Sequence, residues 1–427
     1  MDYADTMETY ALALTYAIPG FIALIFIEYF VSIWMGREVN RSMDTISSLS
    51  SGMTNTLKDL VGLSIVILSY GWMVEHLALT SIPSTLAVYI TAFILIDFAS
   101  YWSHRWNHEI NVFWNRHIVH HSSEEFNLSC ALRQSISGIV GIYFFLSIPM
   151  ALLGIPASVV AVVGPLHLFA QFWYHTRLIN RMGWLEHIIV TPSHHRVHHA
   201  INPEYIDKNY SAIFILWDKW FGTFQEEMDE VPPVFGVKKA VQTWNPFLIN
   251  YQHLWQLIKD AWRTDKLIDK IKIWFMPTGW RPADVQQSYP VAVIEDVYGQ
   301  VKYEPQASTL LKRWSWFQLI FNNALIYYAL IHIAEFSFFD LAMYALFIGF
   351  SIFAYTSLMD RDLISVIAEV FKACLGLILI VRLGGWFGVD DYIPGATVIM
   401  ITYIIASLLA TLYFNFGEKR YTTVETS

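Results

Sequence analysis

The chain has 427 residues, of which 55% are hydrophobic, 16% aromatic and only 15% charged, with a formal net charge of −9. Soluble domains carry roughly 25% charged residues, so this composition excludes an ordinary soluble domain and points to an all-α, polytopic helical membrane protein. Cys130 and Cys374 stand far apart and support neither a disulfide framework nor a thiolate metal site.

The acidic start, MDYADTME, has no Lys or Arg and does not resemble the basic beginning of a cleaved signal. A membrane span needs about 20 mostly apolar residues. Stretches near 9–35, 61–80, 83–103, 135–153 and 156–174 qualify, and after a long polar stretch so do 314–336, 339–357, 363–381 and 394–416, about nine in all. Pro19-Gly20 is expected to kink the first. Within the eighth, Lys372 lies one helical turn from Glu369, close enough to pair.

With the N-terminus outside, alternate loops fall inside, and these carry Arg37, Arg41, Lys58, Arg105, Arg116, Arg133, Arg177, Arg181 and Arg196. The outside loops carry almost none, with Arg382 the exception, so the positive-inside rule gives an N-out, C-in chain. Between the span blocks, HLWQLIKDAWRTDKLIDKIKIWF alternates apolar and basic residues at helical spacing. It reads as a basic amphipathic helix on the inner leaflet or, equally, as a helix packed on the cytoplasmic part. The organisation is therefore N-terminal spans (1–80), a histidine-rich block (81–225), a cytoplasmic or interfacial segment (226–312), and C-terminal spans with a tail (313–427).

Twelve of the fifteen histidines lie between His104 and His199. SHRWNHE places His104 and His108 four apart. NRHIVHHSS contributes His117, His120 and His121, and QFWYHT contributes His175. TPSHHRVHH contributes His194, His195, His198 and His199, with Thr191 and Pro192 as cap and first residue of a helix. Residues three and four apart share a helix face, and neutral imidazole ligates iron, zinc, copper or nickel. One ion takes four to six ligands, so nine or ten histidines imply two ions. His76, His253 and His332 are read as structural, and His167 and His187 as structural or supporting. A loose histidine-rich loop or a pH sensor would lack this helical spacing. A metal transporter or sensor would line several spans with polar groups, and few are present.

At these motifs, and through HEINVFWNRHIVHHSSEEFNLSCALRQS, TPSHHRVHHAINPEYIDKNY and ILWDKWFGTF, the sequence resembles the fatty acid hydroxylase superfamily of membrane-bound diiron oxygenases. This superfamily includes the sterol desaturases, and within it the likeness is to the alkylglycerol monooxygenase branch; it covers about residues 85–225. The resemblance implies a diiron domain over 81–225 and oxidation of a membrane lipid by dioxygen. The substrate expected is an alkylglycerol, or alternatively a sterol or fatty acyl chain that is hydroxylated or desaturated. Two iron ions and a tetrahydropterin reductant are implied, as is an external electron donor, since no fused haem element is present. No nucleic-acid partner is expected. The metal site would face the cytoplasm, in the endoplasmic reticulum of a eukaryote or the inner membrane of a bacterium. The expected ligands are His104, His108, His117, His120, His121, His175, His195, His198 and His199, with His194 a tenth. Gln171 stands where other members can place a histidine. Glu109 matches an acidic position of the branch and is a candidate for orienting an imidazole or moving protons. Asp97 is a candidate for bonding a ligand histidine, and Asp207 and Asn209 are weaker candidates of the same kind.

Overall fold

The structure, a computed structural model, describes residues 3–418; Met1, for which an outside position is expected, and the tail 419–427 lie outside the described residues. All named elements among the described residues are helical. In chain order they are α1 (Tyr3–Trp34), α2 (Ser42–Leu60), α3 (Tyr70–Leu77), α4 (Leu86–Glu109), α5 (Asn111–Trp114), α6 (Ile118–His121), α7 (Ile148–Leu152) and α8 (Ala157–Phe169). Then follow α9 (Pro192–His199), α10 (Leu216–Phe221), α11 (Pro246–Arg263), α12 (Leu267–Lys272), α13 (Ala283–Ser288), α14 (Thr309–Ile331), α15 (Phe338–Met359), α16 (Ile364–Leu383) and α17 (Ala396–Leu412).

Five helices among the described residues are long and apolar enough to cross a bilayer: Ala11–Trp34 of α1, α4, α15, α16, and Ala396–Gly417, which is α17 with the π-turn after it. These match five of the nine stretches expected from hydropathy, and the other four differ for identifiable reasons. Segments 61–80 and 135–153 hold only short helical pieces; irregular backbone joins them, with Ile65 N donating to Ile139 O (2.8 Å) and Gly141 N to Ile65 O (3.0 Å). Gly138, Gly141 and Pro149 interrupt the apolar run there, and a hydropathy count does not register them. Stretch 156–174 yields a 13-residue helix. Stretch 314–336 is helical within α14 but is diluted by buried Ser315, Gln318 and Asn322. The basic segment around 253–275 also divides, into α11 and α12, because Thr264 turns to extended backbone and its hydroxyl bonds Asp284.

Helices α14, α15, α16 and α17 pack around one apolar core that includes Ile326, Tyr344, Phe347, Ile348, Met400 and Ile404. Helix α2 runs against α14 and α15 and is unusually polar for its burial, with Asp44, Ser47, Ser48, Ser50 and Ser51 all inside. Their polar groups are used: Ser50 Oγ meets Ile46 O (2.6 Å) and Tyr355 OH (2.5 Å), and Ser47 Oγ donates to Trp244 O. The almost fully buried Arg133 reaches across to α2, donating to Asp44 Oδ2 (2.8 Å), Ser48 Oγ (3.0 Å) and Ser122 Oγ (2.7 Å). That clamp ties the loop after the second histidine motif to the helical bundle.

Candidate metal centre

Helix α4 delivers His104 and His108 from one face of its last turns. The short α6 and the turn before it deliver His117, His120 and His121. His175 follows α8, and α9 delivers the rest. As expected, α9 begins at Pro192 behind Thr191, although the Thr191 hydroxyl does not cap it and bonds Glu186 and Ser193 instead.

The histidines form two groups, each with ligand atoms within 4.8 Å of one another: His104, His108, His117, His121 and His198 in one, and His120, His175, His195 and His199 in the other. Ring nitrogens converge inside them. His104 Nε2 lies 2.8 Å from His117 Nε2, and His195 Nε2 lies 2.8 Å from His175 Nε2 and 3.0 Å from His199 Nε2. The two groups adjoin where the rings of His121 and His199 stack.

The outer nitrogens fix the chemistry. His104 Nδ1 faces Tyr210 O (2.7 Å), His198 Nδ1 faces Lys208 O (2.9 Å), His175 Nδ1 faces Gln171 O (3.0 Å) and His120 Nδ1 faces Arg133 O (3.3 Å). A carbonyl only accepts, so each of these Nδ1 atoms carries the proton and each Nε2 presents a lone pair inward. Nε2 of His108, His121 and His198 is buried without a hydrogen-bond partner among the described residues. Buried polar atoms are normally paired, and orphaned imidazole nitrogens converging on one point are what a metal ion would satisfy. Burial first, then the neighbouring imidazoles, hold His117, His121, His175, His195, His198 and His199 well below the ordinary imidazole range. His120 is lowered to about 3, mainly by burial. The rings are therefore neutral, the form that ligates.

His194 falls outside both groups. Its ring tilts back toward the start of α9, as helical side chains do, placing Nδ1 3.4 Å from Thr191 Oγ1 and the ring against Phe224. The expectation that it is a tenth ligand is corrected accordingly. Asp97 bonds no ligand histidine directly. It is completely buried and accepts from His167 Nε2 (2.7 Å), Ile213 N (2.9 Å), Phe214 N (3.0 Å) and Trp217 Nε1 (2.8 Å). It reaches the centre through a chain: Gln171 Nε2 lies 3.2 Å from His167 Nδ1, and Gln171 O takes the proton of His175 Nδ1. Glu109 pairs with Arg105 (2.8 Å). Asp207 stands 3.9 Å from His108 Nδ1, and Asn209 bonds the His194 and Gln225 carbonyls, a loop role. His253 is structural as expected, its Nε2 donating to Asn111 O (2.8 Å). Sequence reasoning missed the Arg133–Asp44–Ser48 clamp, because nothing local in ALRQS signals a partner 89 positions earlier.

A cavity of about 2250 Å³ opens beside His104, His117, His120, His175 and His195. It continues between α1, α2 and α14 along mainly apolar side chains.

Residues 89–223 match the fatty acid hydroxylase family model. Alkylglycerol monooxygenase of Homo sapiens is 36% identical over 370 residues, covering 86% of this chain and 82% of the human one. That of Danio rerio is 37% identical over 317 residues, covering 72% and 69%. The chain belongs to the alkylglycerol monooxygenase family. Ornithine lipid hydroxylase of Rhizobium tropici is 29% identical over 135 residues, 32% of this chain and 41% of its own. No solved structure matches. As a member of this family the chain is an oxygen-dependent monooxygenase, and both histidine groups lie within the matched region.

Proposed function

We propose that the protein cleaves the ether bond of alkylglycerols, using two iron ions held by the nine grouped histidines and a tetrahydropterin as reductant. The observation that carries this reading is the pair of adjoining imidazole groups, tautomers fixed by backbone carbonyls, opening on a long apolar cavity in a chain of this family. His104, His108, His117, His121 and His198 would hold one ion, and His120, His175, His195 and His199 the other. Bound there, iron supplies dioxygen activation.

The chain's own groups do the rest. The carbonyls of Tyr210, Lys208, Gln171 and Arg133 hold the rings in register, and burial keeps them neutral. The apolar cavity would seat the alkyl chain so that the carbon next to the ether oxygen faces the histidines. That C–H bond is weakened by the adjacent oxygen. One oxygen atom enters it, and the other leaves as water with two electrons and two protons from the pterin. The resulting hemiacetal collapses to a fatty aldehyde and a glycerol derivative. The reductant arrives from outside the chain, and the orientation of basic loops supports a cytoplasmic centre.

The test is purified, iron-loaded protein given 1-alkylglycerol with tetrahydropterin or, separately, a reduced b-type cytochrome. Fatty aldehyde formed with the pterin, with consumption of dioxygen, is the expected result. Oxidation of sterols or acyl lipids alone, with electrons from the cytochrome only, would overturn the ether-lipid assignment.

A further inference from the structure

The cavity is far larger than the roughly 300–1,000 Å³ usual for small-molecule sites, and much of its wall lies outside the matched hydroxylase region. One side is a single face of α1, where Ile18, Ile22 and Ile25 recur at three- to four-residue spacing. The opposite side is α14, through Leu319, Ile320 and Ile326, with Asn323 between them. The two helices are joined near one end, where Tyr327 OH donates to Thr15 O (3.2 Å). At the start of α14 the contacts run to α2 instead: Trp316 Nε1 donates to Ser42 Oγ (2.8 Å), and Arg41 Nη2, just before α2, donates to Tyr303 O (2.7 Å). From Ala13 to Tyr29 the α1 lining runs roughly 24 Å at helical rise. One leaflet of hydrocarbon is only about 15 Å deep, half of the bilayer core. A fully extended lipid chain therefore fits along it.

The other end of this compartment is polar and incompletely satisfied. Asn40 and Thr45 line the cavity, and both amide atoms of Asn40 and the hydroxyl of Thr45 are buried without a hydrogen-bond partner among the described residues. Thr45 follows Asp44, which holds Arg133, and the Arg133 carbonyl takes the Nδ1 proton of His120. The unpartnered groups thus share the cavity with His120 and His175 and connect to the second histidine group through Asp44 and Arg133. Leaving such atoms unpaired is unfavourable, and a ligand bearing hydroxyls would pair them.

We propose that α1 and α14 form the alkyl-chain compartment of the substrate site, with Asn40 and Thr45 binding the polar end of a single-chain lipid. On this assignment the C-terminal helices, absent from the hydroxylase domain itself, set which chain lengths the enzyme accepts. The inference rests on the ether-lipid reading for the identity of the polar end, and its test separates the two.

A 1-alkylglycerol with a diazirine on the terminal carbon of its chain is photolysed on the purified protein in nanodiscs, and labelled peptides are mapped by mass spectrometry. Label on 13–26 and 316–326 that excess unlabelled alkylglycerol suppresses is expected. Competed label on α4 or α8 instead would overturn the inference while leaving any measured ether cleavage intact. Competed label on α1 and α14 in a preparation that cleaves no ether would uphold the compartment and sink the proposed function. In active protein, Ile320→Trp, at a 64% exposed position where a larger ring need not disturb the core, should lower the long-chain to short-chain ratio of kcat/KM at least tenfold. An unchanged ratio counts against the compartment. Asn40→Leu removes atoms that have no partner, so it should fold normally yet raise KM at least tenfold with little change in kcat. An unchanged KM in folded protein would remove Asn40 from the site.

Discussion

His121 and His199 stack ring on ring with centroids 4.2 Å apart, at the seam between the two imidazole groups. The groups are therefore neighbours rather than separate sites, and loss of one ligand should be felt in both. Purified protein should hold about two iron ions per chain. His121→Ala and His199→Ala should each bring this to one or fewer and abolish turnover, while the His332→Ala protein keeps both ions, because the His332 ring lies outside both histidine groups, against Glu335, Tyr328 and Tyr392. Elemental analysis decides it; equal loss in all three variants would undo the ligand assignment.

Asp97 is linked to His175 by hydrogen bonds through His167 and Gln171. Asp97→Asn puts an amide donor where four donors already converge, which should cost about 2 kcal/mol or more of stability. Loosening of the His175 ring should also weaken metal binding about 10- to 100-fold. Thermal unfolding and metal titration of the same sample separate these effects. Full metal affinity in a destabilised variant would confine Asp97 to a structural role.

Glu109, a candidate for orienting an imidazole or moving protons and equally for a surface position, places its carboxylate on Arg105, partly exposed. Glu109→Ala should leave metal content unchanged and slow turnover by less than about tenfold, the scale of lost surface pairing rather than of a lost acid or base. A loss as complete as that of His121→Ala, with metal retained, would return Glu109 to the reacting centre.

Much of the candidate centre was legible because its histidines are local. HxxxH and HxxHH carry their geometry in their own spacing, and eight of the nine grouped histidines come from such motifs within two short segments and one helix end, leaving only His175 and the pairing between groups to tertiary structure. What was not legible depends on partners far along the chain: the carbonyls that set the tautomers, the Arg133 clamp, and the diversion of Asp97 to His167. His194 misled because spacing gives the face of a helix but not the rotamer. The expected spans and the long apolar helices differ where glycine and proline break apolar runs, and where α14 carries polar residues that are satisfied inside the bundle.

His253 offers a pH test away from the metal. Burial lowers its pKa to about 4, against 6.5 for a free imidazole. The folded state therefore resists its protonation, and the stability this represents is present above pH 6.5 and lost as pH falls toward 4. The full effect is about 3 kcal/mol. His253→Gln keeps a donor for Asn111 O but cannot titrate. The stability gap between wild type and variant, followed by thermal unfolding from pH 7 to 4, should move in favour of the variant by up to that amount. A constant gap would mean that His253 takes up its proton as readily in the folded protein as in the unfolded chain.

Lys372 and Glu369, both buried in α16, meet at 2.5 Å, and Lys372 also donates to Ser407 Oγ (2.7 Å) and lies over the Tyr403 ring. Gln318 and Asn322 of α14 extend this network to Tyr403, so the pair joins three helices of the C-terminal block. Removing one partner strands a charge inside the bundle, which typically costs about 3–5 kcal/mol, whereas replacing both with apolar groups of similar size is often neutral. Lys372→Met alone should therefore lower the unfolding temperature sharply, and Glu369→Leu added to it should restore most of the loss. Because α14 also walls the lipid cavity, the single variant should lose long-chain turnover along with stability, and the double variant should regain both. If the double variant is no more stable than the single, the two charges are not coupled.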